Sequence, residues 1–571
     1  MFFAILTTLL ALFGVLFSWS AITLRGNVAK AKTTGLPLLV RWIDLTNPLW
    51  MMFGSSIVLK ARAWGIGTKH FRRFYLFGWE ANERHAIHAE LGPAFMLVSP
   101  GHNYLCVSDP DVIADVIHRR TDFRRNMEQF AVVNVYGKNL STVDDDEWKK
   151  HRKITAITFT EKNNELVWRQ SLAQARGMLD YWLQQPSVST IADDTKVFTL
   201  NVLAAAIFNK PYAFQSATGS KNNTGPRDDS SLYRDSLGQI LAYIIPIFIC
   251  GEHGLQSWWA PKSWKSAGKA IATFRDYVSG LIREERDNLG QGLQKNQHLV
   301  AALVRASETE MHEHGDSVPG RKNMTLTEEE IISNLFVYAF AGNDTTAISL
   351  AHLLVDLAAH PEAQEWIAEE LRHYLPDEDA SKWDYKVYPQ LKRCLAAMME
   401  SLRLNHPLGQ IAKETGVYAQ PLRIGSRDII IPPGTSIHLN TVALHTDPQY
   451  WGEDAMQWNP RRFITVPEGA VPDFENEILA SDTQSRFLPW ATGQRVCPGK
   501  KFSQVEVVAV LALLLRSYIV QPQRRAGETM ADARRRVFKT GMEVDHEGHI
   551  LHEIRNPGLI ALTWTRRRTT G

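Results

Sequence analysis

The most restrictive stretch of this chain is a single helix. Thr327-Glu-Glu-Glu330 has the form of a capping box, in which Thr327 and Glu330 satisfy each other's free backbone N–H groups. An apolar pattern uninterrupted by proline then continues to about Ala359, just before His360-Pro361. At 1.5 Å per residue this is roughly 50 Å of helix, as long as a domain is wide. A helix so long and so apolar has to run through a core, with other elements packed on every side. Pro361 fits the first turn of the next helix, and Glu362, Glu365, Glu369 and Glu370 give that helix a solvated face. With 571 residues, 44% of them hydrophobic, the chain has enough apolar surface to build such a core. Helical patterns dominate throughout. Strand-like runs fall near Phe95–Val107, Asp428–Pro432 and Leu559–Trp564, and polar stretches near Gln215–Ser231 and Glu308–Asn323 read as surface loops.

Met1 to Leu24 contains no charged residue and is long enough as a helix to cross a bilayer. A cleaved signal would carry basic residues at its start, whereas Arg25, Lys30 and Lys32 all follow the segment, so a retained anchor is the expectation. Positive charge on that flank predicts a cytosolic body. In that topology the sequons at Asn139, Asn222 and Asn323 carry no glycan. After Gly35, Pro37 and Pro48 a second apolar stretch, Leu49–Leu59, is too short to span. A core or linker helix and a helix lying on a membrane surface both remain open for it. The expected organisation is an anchor over 1–24, a linker with a candidate membrane-surface segment over 25–64, and one catalytic domain over 65–571. Four scattered cysteines offer neither a disulfide framework nor a zinc cluster, and a net charge of +2 gives no reason to expect a nucleic-acid partner.

The chemistry concentrates near the C-terminus, in Phe487-Leu-Pro-Trp490-Ala-Thr-Gly493-Gln-Arg495-Val-Cys497-Pro-Gly499, which runs directly into an apolar helix from Phe502 to Leu515. Gly493 and Gly499 permit backbone conformations that other residues resist, and Pro498 fixes the chain after the sulfur. Positive potential from the helix N-terminus and from Arg495 is expected to favour a metal-binding thiolate. An isolated cysteine at a helix start would read as an inert core thiol, but this one sits in a patterned loop.

The run Trp490–Gly499 resembles the haem-binding loop of the cytochrome P-450 family, with Trp490 standing where the family usually has Phe. That departure either crowds the sulfur or adds an N–H donor. Three more segments fall in the family's order. Glu400-Ser-Leu-Arg403, a chance-level motif alone, together with Arg462 of Pro460-Arg-Arg-Phe463, resembles the buried ion-pair triad that fixes the cysteine loop. Ala341-Gly342-Asn343-Asp344-Thr345-Thr346, in the middle of the long helix, resembles the segment that crosses the haem. There Ala341 and Gly342 leave room for dioxygen, while Asp344 and Thr345 match the acid–alcohol pair that relays protons. Small residues in a helix also permit close packing, and that reading stands beside it. Trp148-Lys-Lys-His-Arg152 resembles the helix contacting a haem propionate, with Arg495 as the other propionate partner and Asp145 where the family often has Gly. Lys149, Lys150, Lys153, Lys500 and Lys501 form either a solvated basic face or a docking surface for an electron donor.

The resemblance covers about Gly65 to Arg566 and is nearest to microsomal members from filamentous fungi. It implies a mainly α fold with a small β lobe near the N-terminus, preceded by a transmembrane helix, and a b-type haem whose iron is ligated by Cys497. The reaction it implies inserts one oxygen atom from O2 into a hydrophobic small molecule, a terpenoid, steroid or polyketide intermediate. Electrons would come from NADPH through a cytochrome P-450 reductase, with cytochrome b5 as a second donor, since the chain has no dinucleotide or flavin motif of its own. Endoplasmic reticulum membrane is the implied location. Pocket-lining stretches are expected near Arg125–Asn139, Ala204–Phe248, Phe336–Asp344, Leu408–Ala412 and Leu551–Arg555. A haem-thiolate isomerase or dehydratase working without O2, and a non-catalytic haem-binding protein, are the alternatives.

Overall fold

The computed structural model describes residues 2–217, 229–291, 298–313, 325–471, 473–480, 486–544 and 550–568. The sequons at Asn222 and Asn323 and most of the two polar stretches lie outside these residues. The long helix spans Glu328–Ala359, capped by reciprocal Thr327 and Glu330 hydrogen bonds of 3.1 and 2.9 Å. It is buried over most of its length, and other helices surround it. These include Ile191–Phe208, which packs against its middle, and Met530–Gly541 near its C-terminal end. Gly541 lies so close that a Cβ there would sit 2.7 Å from Val355 Cγ1.

The largest sheet has six strands in the order β1-β2-β3-β8-β5-β4. They are β1 (Leu38–Val40), β2 (Ala94–Val98), β3 (Asn103–Val107), β4 (Arg124–Arg125), β5 (Ile411–Glu414) and β8 (Thr435–Leu439). Between β5 and β8 the chain makes the hairpin β6 (Gln420–Ile424) and β7 (Arg427–Ile431). The β lobe therefore joins the N-terminal region to a segment some 300 residues later, because β3 pairs in parallel with β8 from Asn103↔Thr435 to Val107↔Leu439. Alternation is absent from β2, β3 and β8, which are buried on both faces, and so periodicity alone could not find β8.

The first helix does not end at Leu24. It continues to Lys32, and its last turns dock on the sheet, burying Leu24 and Ala31. Asn27 Nδ2 donates to the carbonyls of Ser99 and Pro100 at 2.9 and 3.2 Å, and Asn103 Nδ2 donates to Asn27 O at 3.1 Å. Residues 38–40, expected in a linker, form a sheet strand. Among the described residues no single helix is long and apolar enough to cross a membrane. The second apolar stretch is the helix Pro48–Ala63, with Val58 and Ala61 turned inward and Leu49, Phe53 and Ile57 exposed at i, i+4 and i+8. Asn139 is fully buried and donates to Val133 O and Ser333 Oγ, both at 3.2 Å, which closes that sequon to modification in the folded protein.

Gly541→Ala should cost about 1–3 kcal/mol by forcing the helix Met530–Gly541 away from Val355. Chemical denaturation of the two proteins measures this directly.

Candidate active site

Cys497 is presented by a loop that closes on itself. Its backbone N–H donates to Trp490 O at 2.9 Å, Ala491 and Gly493 take left-handed φ values of +55° and +73°, and the helix Lys500–Ser517 starts three residues later. Such a φ is costly for alanine and natural for glycine. Cys497 keeps accessible surface although protein crowds it, and burial raises its thiol pKa above the usual value. A hydrogen bond from the Gly499 N–H and the charge of Arg152 act against that rise without cancelling it. The expected lowering by Arg495 is therefore corrected. Arg495 turns away from the sulfur to pair with Asp144 and to lie 4.3 Å over the Trp148 ring. Trp490 spends its indole N–H on Ser503 Oγ at 3.2 Å, and so adds no donor to the sulfur.

Behind the loop lies a buried ion network. Arg403 reaches both oxygens of Glu400 at 2.8 Å, and neither side chain has solvent access. Arg462 joins at 3.0 Å to Glu400 and 3.0 Å to Asp454. The rest of the Arg403 fork donates to the carbonyls of His445 and Ala455, both at 2.7 Å. His445 then accepts the Leu488 N–H on Nε2 at 2.9 Å, and His406 Nε2 bonds Pro489 O at 2.8 Å. Burial, together with the nearby His406 and Arg403, holds the His445 pKa well below the ordinary value, which keeps its ring neutral and able to accept. The predicted triad thus reaches the cysteine loop through His445, while His406 holds the loop at Pro489, and no sequence motif marked either histidine.

A second finding had no sequence signal. Strands β4 and β5 place Arg125 directly opposite Lys413. Like charges across a strand pair repel, and both residues are largely buried. Burial and the neighbouring Arg495 push Arg125 down to about 9 and, with Arg125 adding its charge, Lys413 down to about 8. Arg125 Nε has no hydrogen-bond partner among the described residues. Three inward cations, Arg125, Lys413 and Arg495, face one partly buried carboxylate, Asp144. The surplus of two positive charges fits the two carboxylates of a b-type haem. Trp148 and Arg152 stand on one face of the adjoining helix Asp145–Ala156, as their spacing predicted, with Arg152 near enough to Cys497 to act on its charge. Asp145, in a glycine position of the family, adopts φ +49°. Lys149, Lys150 and Lys501 are each paired with an acidic residue (Asp146, Glu330 and Glu161), so much of the predicted basic face is compensated.

In the middle of the long helix Ala341, Gly342 and Thr345 have accessible surface while Asn343, Asp344 and Thr346 are buried. Thr345 Oγ1 donates to Ala341 O at 2.6 Å, the back-bond expected of an intrahelical threonine. Asp344 is buried and accepts from Asn343 Nδ2 at 2.8 Å, and Asn343 Oδ1 in turn accepts from Thr199 Oγ1 at 2.6 Å. Gly342 answers a packing demand as well, because a Cβ there would sit 3.0 Å from Leu203 Cδ2 on the helix Ile191–Phe208. Beside Asp344 lies a cavity of about 220 Å³ lined by Phe340, Leu237, Leu241 and Leu551, within the predicted stretches, and by Lys196 and Leu200, outside them.

A cysteine offered on a rigid, internally bonded loop, next to a cation pocket short of two negative charges, is the arrangement of a haem-thiolate oxidoreductase. The sequence model described as Cytochrome P450 matches residues 79–541, and the chain belongs to that family. A cytochrome P450 monooxygenase of Arthrobotrys oligospora is 28% identical over 537 residues, covering 89% of this chain and 90% of the relative. The phomenoic acid biosynthesis cluster cytochrome P450 monooxygenase of Leptosphaeria maculans is 28% identical over 550 residues, with 89% and 90% covered. The 7-deoxyloganic acid hydroxylase of Catharanthus roseus is 24% identical over 421 residues, with 72% and 74% covered. The protein is thus a haem-thiolate monooxygenase with a cysteine-ligated haem, using O2, an organic substrate and a redox-partner reductase. The isomerase and binding-protein alternatives are not favoured.

Glu400→Gln should destabilise by about 3–5 kcal/mol, since it leaves Arg403 as a buried, uncompensated charge. Arg462→Lys, which spares the bidentate pair, should cost less, and denaturation of the two variants tests the order. Lys413→Met removes one of the surplus cations and should speed haem loss several-fold, measured by transfer of haem to an apoglobin acceptor.

Proposed function

We propose that Cys497 is the axial ligand of the haem iron and that the enzyme oxygenates a hydrophobic small molecule of secondary metabolism, a terpenoid, steroid or polyketide intermediate. The observation that carries this is the anchored loop, in which Cys497 is held by Trp490 O on one side and by the Arg403–His445–Leu488 chain behind. Relatives named for a phomenoic acid cluster and for 7-deoxyloganic acid hydroxylation support the substrate class.

When bound, the haem supplies reduction of O2 and transfer of one oxygen atom to the substrate. Arg125, Lys413 and Arg495, with Trp148 and Arg152 beside them, would hold its carboxylates, and Gly493 and Gly499 would let the loop approach it closely. Glu400, Arg403 and Arg462 keep the loop from shifting when ligand charge changes. Ala341, small and accessible on the central helix, would leave room for dioxygen. The Thr345 hydroxyl hands protons inward, and the Asp344 carboxyl, steadied by the Asn343 amide, replenishes them from the cavity side.

On the same proposal the body sits on the cytosolic face of the endoplasmic reticulum, held by the uncharged stretch Met1–Leu24 together with an apolar surface, since the described helices alone contain no membrane span. The apolar stripe Leu49, Phe53 and Ile57, with Phe248 of the helix Ile244–Leu255 and Trp258, 91% exposed, supports contact with a lipid surface. The helices Pro48–Ala63 and Ile244–Leu255 touch each other. Electrons come from NADPH–cytochrome P-450 reductase, with cytochrome b5 as a second donor.

The test is the carbon monoxide difference spectrum of the dithionite-reduced protein. Wild type should give the red-shifted Soret band of thiolate ligation, and Cys497→Ala should lose it. A band indifferent to that change rejects the ligand. Thr345→Ala should keep the band yet make product per NADPH consumed fall, while product formation itself drops about 10²-fold or more.

A further inference from the structure

The cavity beside Asp344 is walled mainly by apolar side chains, yet it contains an ion pair that the proposed chemistry does not use. Lys196 Nζ lies 2.8 Å from Glu553 Oε2, joining the helix Ile191–Phe208 to the segment after residue 550. Both side chains line the cavity and both keep partial exposure, at 33% and 20%. Val197, Leu200, Leu237, Leu241 and Phe340 form the surrounding wall. Burial works to lower the Lys196 pKa, but the charges of Glu553 and Asp344 outweigh it and raise the pKa above its ordinary value, so the lysine remains a cation at neutral pH.

An ion pair in an apolar wall is expensive to desolvate, and a ligand that covers it has to meet its remaining donors and acceptors. The lining carries two cations, Lys196 and Arg234, and two acids, Glu553 and Asp344, and none of the four is without a partner. A carboxylate head group would therefore find no surplus positive charge. To reach Lys196 it would have to displace Glu553 and leave that carboxylate uncompensated under the ligand that covers it. A purely hydrocarbon ligand would strip water from both charges and return nothing. A hydroxyl fits both partners at once, accepting from the Lys196 ammonium and donating to the Glu553 carboxylate while the pair stays intact.

We propose that Lys196 and Glu553 form a head-group site selecting substrates that carry a neutral hydroxyl remote from the oxidised carbon, with the hydrocarbon portion lying along Leu200, Leu237, Leu241 and Phe340. This deepens the monooxygenase reading and rests on it. The pair sets specificity and positions the substrate. It takes no part in the chemical step.

The test uses three probes of matched chain, 1-decanol, 1-methoxydecane and decanoate, titrated calorimetrically into the haem-loaded protein and into the double variant Lys196→Met/Glu553→Leu, which removes both charges together. Wild type should bind the alcohol about tenfold more tightly than the ether, which accepts but cannot donate, and more tightly than decanoate. In the double variant the alcohol-to-ether ratio should fall close to one. Equal affinities in wild type, tightest binding of decanoate, or a ratio that survives in the double variant would each overturn the assignment. The carbon monoxide band of the same samples separates the two readings. A missing band in wild type defeats the thiolate proposal, whereas calorimetry still reports the head-group ratio.

Discussion

Arg403 is the hinge of the structure's logic. A guanidinium with no solvent access survives only if every N–H finds an acceptor, and this one spends its fork on Glu400 and on carbonyls from two separate segments. Because those acceptors belong to chain that leads to the cysteine loop, satisfying one buried charge also fixes where the sulfur stands. Stability and chemistry share an interaction here. Neither can be altered alone.

Much of this was legible from the residues. The capping box at Thr327 and the proline at 361 delimited the central helix correctly, because caps act locally and leave local signatures. Spacing of three correctly put Glu400 and Arg403 on one helical face. What escaped depends on contacts between distant parts of the chain. Arg125 and Lys413 look like ordinary surface cations until β4 and β5 are paired, and 288 positions separate them. His445 and His406 carry no pattern at all, since their role comes from backbone atoms they meet in space. Lys196 and Glu553 were hidden for the same reason.

Two departures from the family's usual pattern acquire physical content. Trp490 keeps an aromatic beside the loop, but its N–H is occupied by Ser503, so burial, the Gly499 N–H and Arg152 set the electronic environment of the thiol. Asp145 occupies a left-handed conformation that suits glycine, directly after the Asp144 that pairs with Arg495. Aspartate tolerates this region better than most residues, and at the start of a helix its charge opposes the positive end of the dipole. Gly342 answers a packing demand, because the absence of a side chain lets the helix Ile191–Phe208 lie against it.

The face-to-face cations of β4 and β5 bear on how the protein comes to be assembled. The edge strand is only two residues long, and mutual repulsion of Arg125 and Lys413 works against its pairing. A dianionic guest would offset that repulsion from both strands at once. The edge of the sheet would then be firmer with the haem bound than without it, so that occupancy of the site and order at the margin of the sheet would rise together.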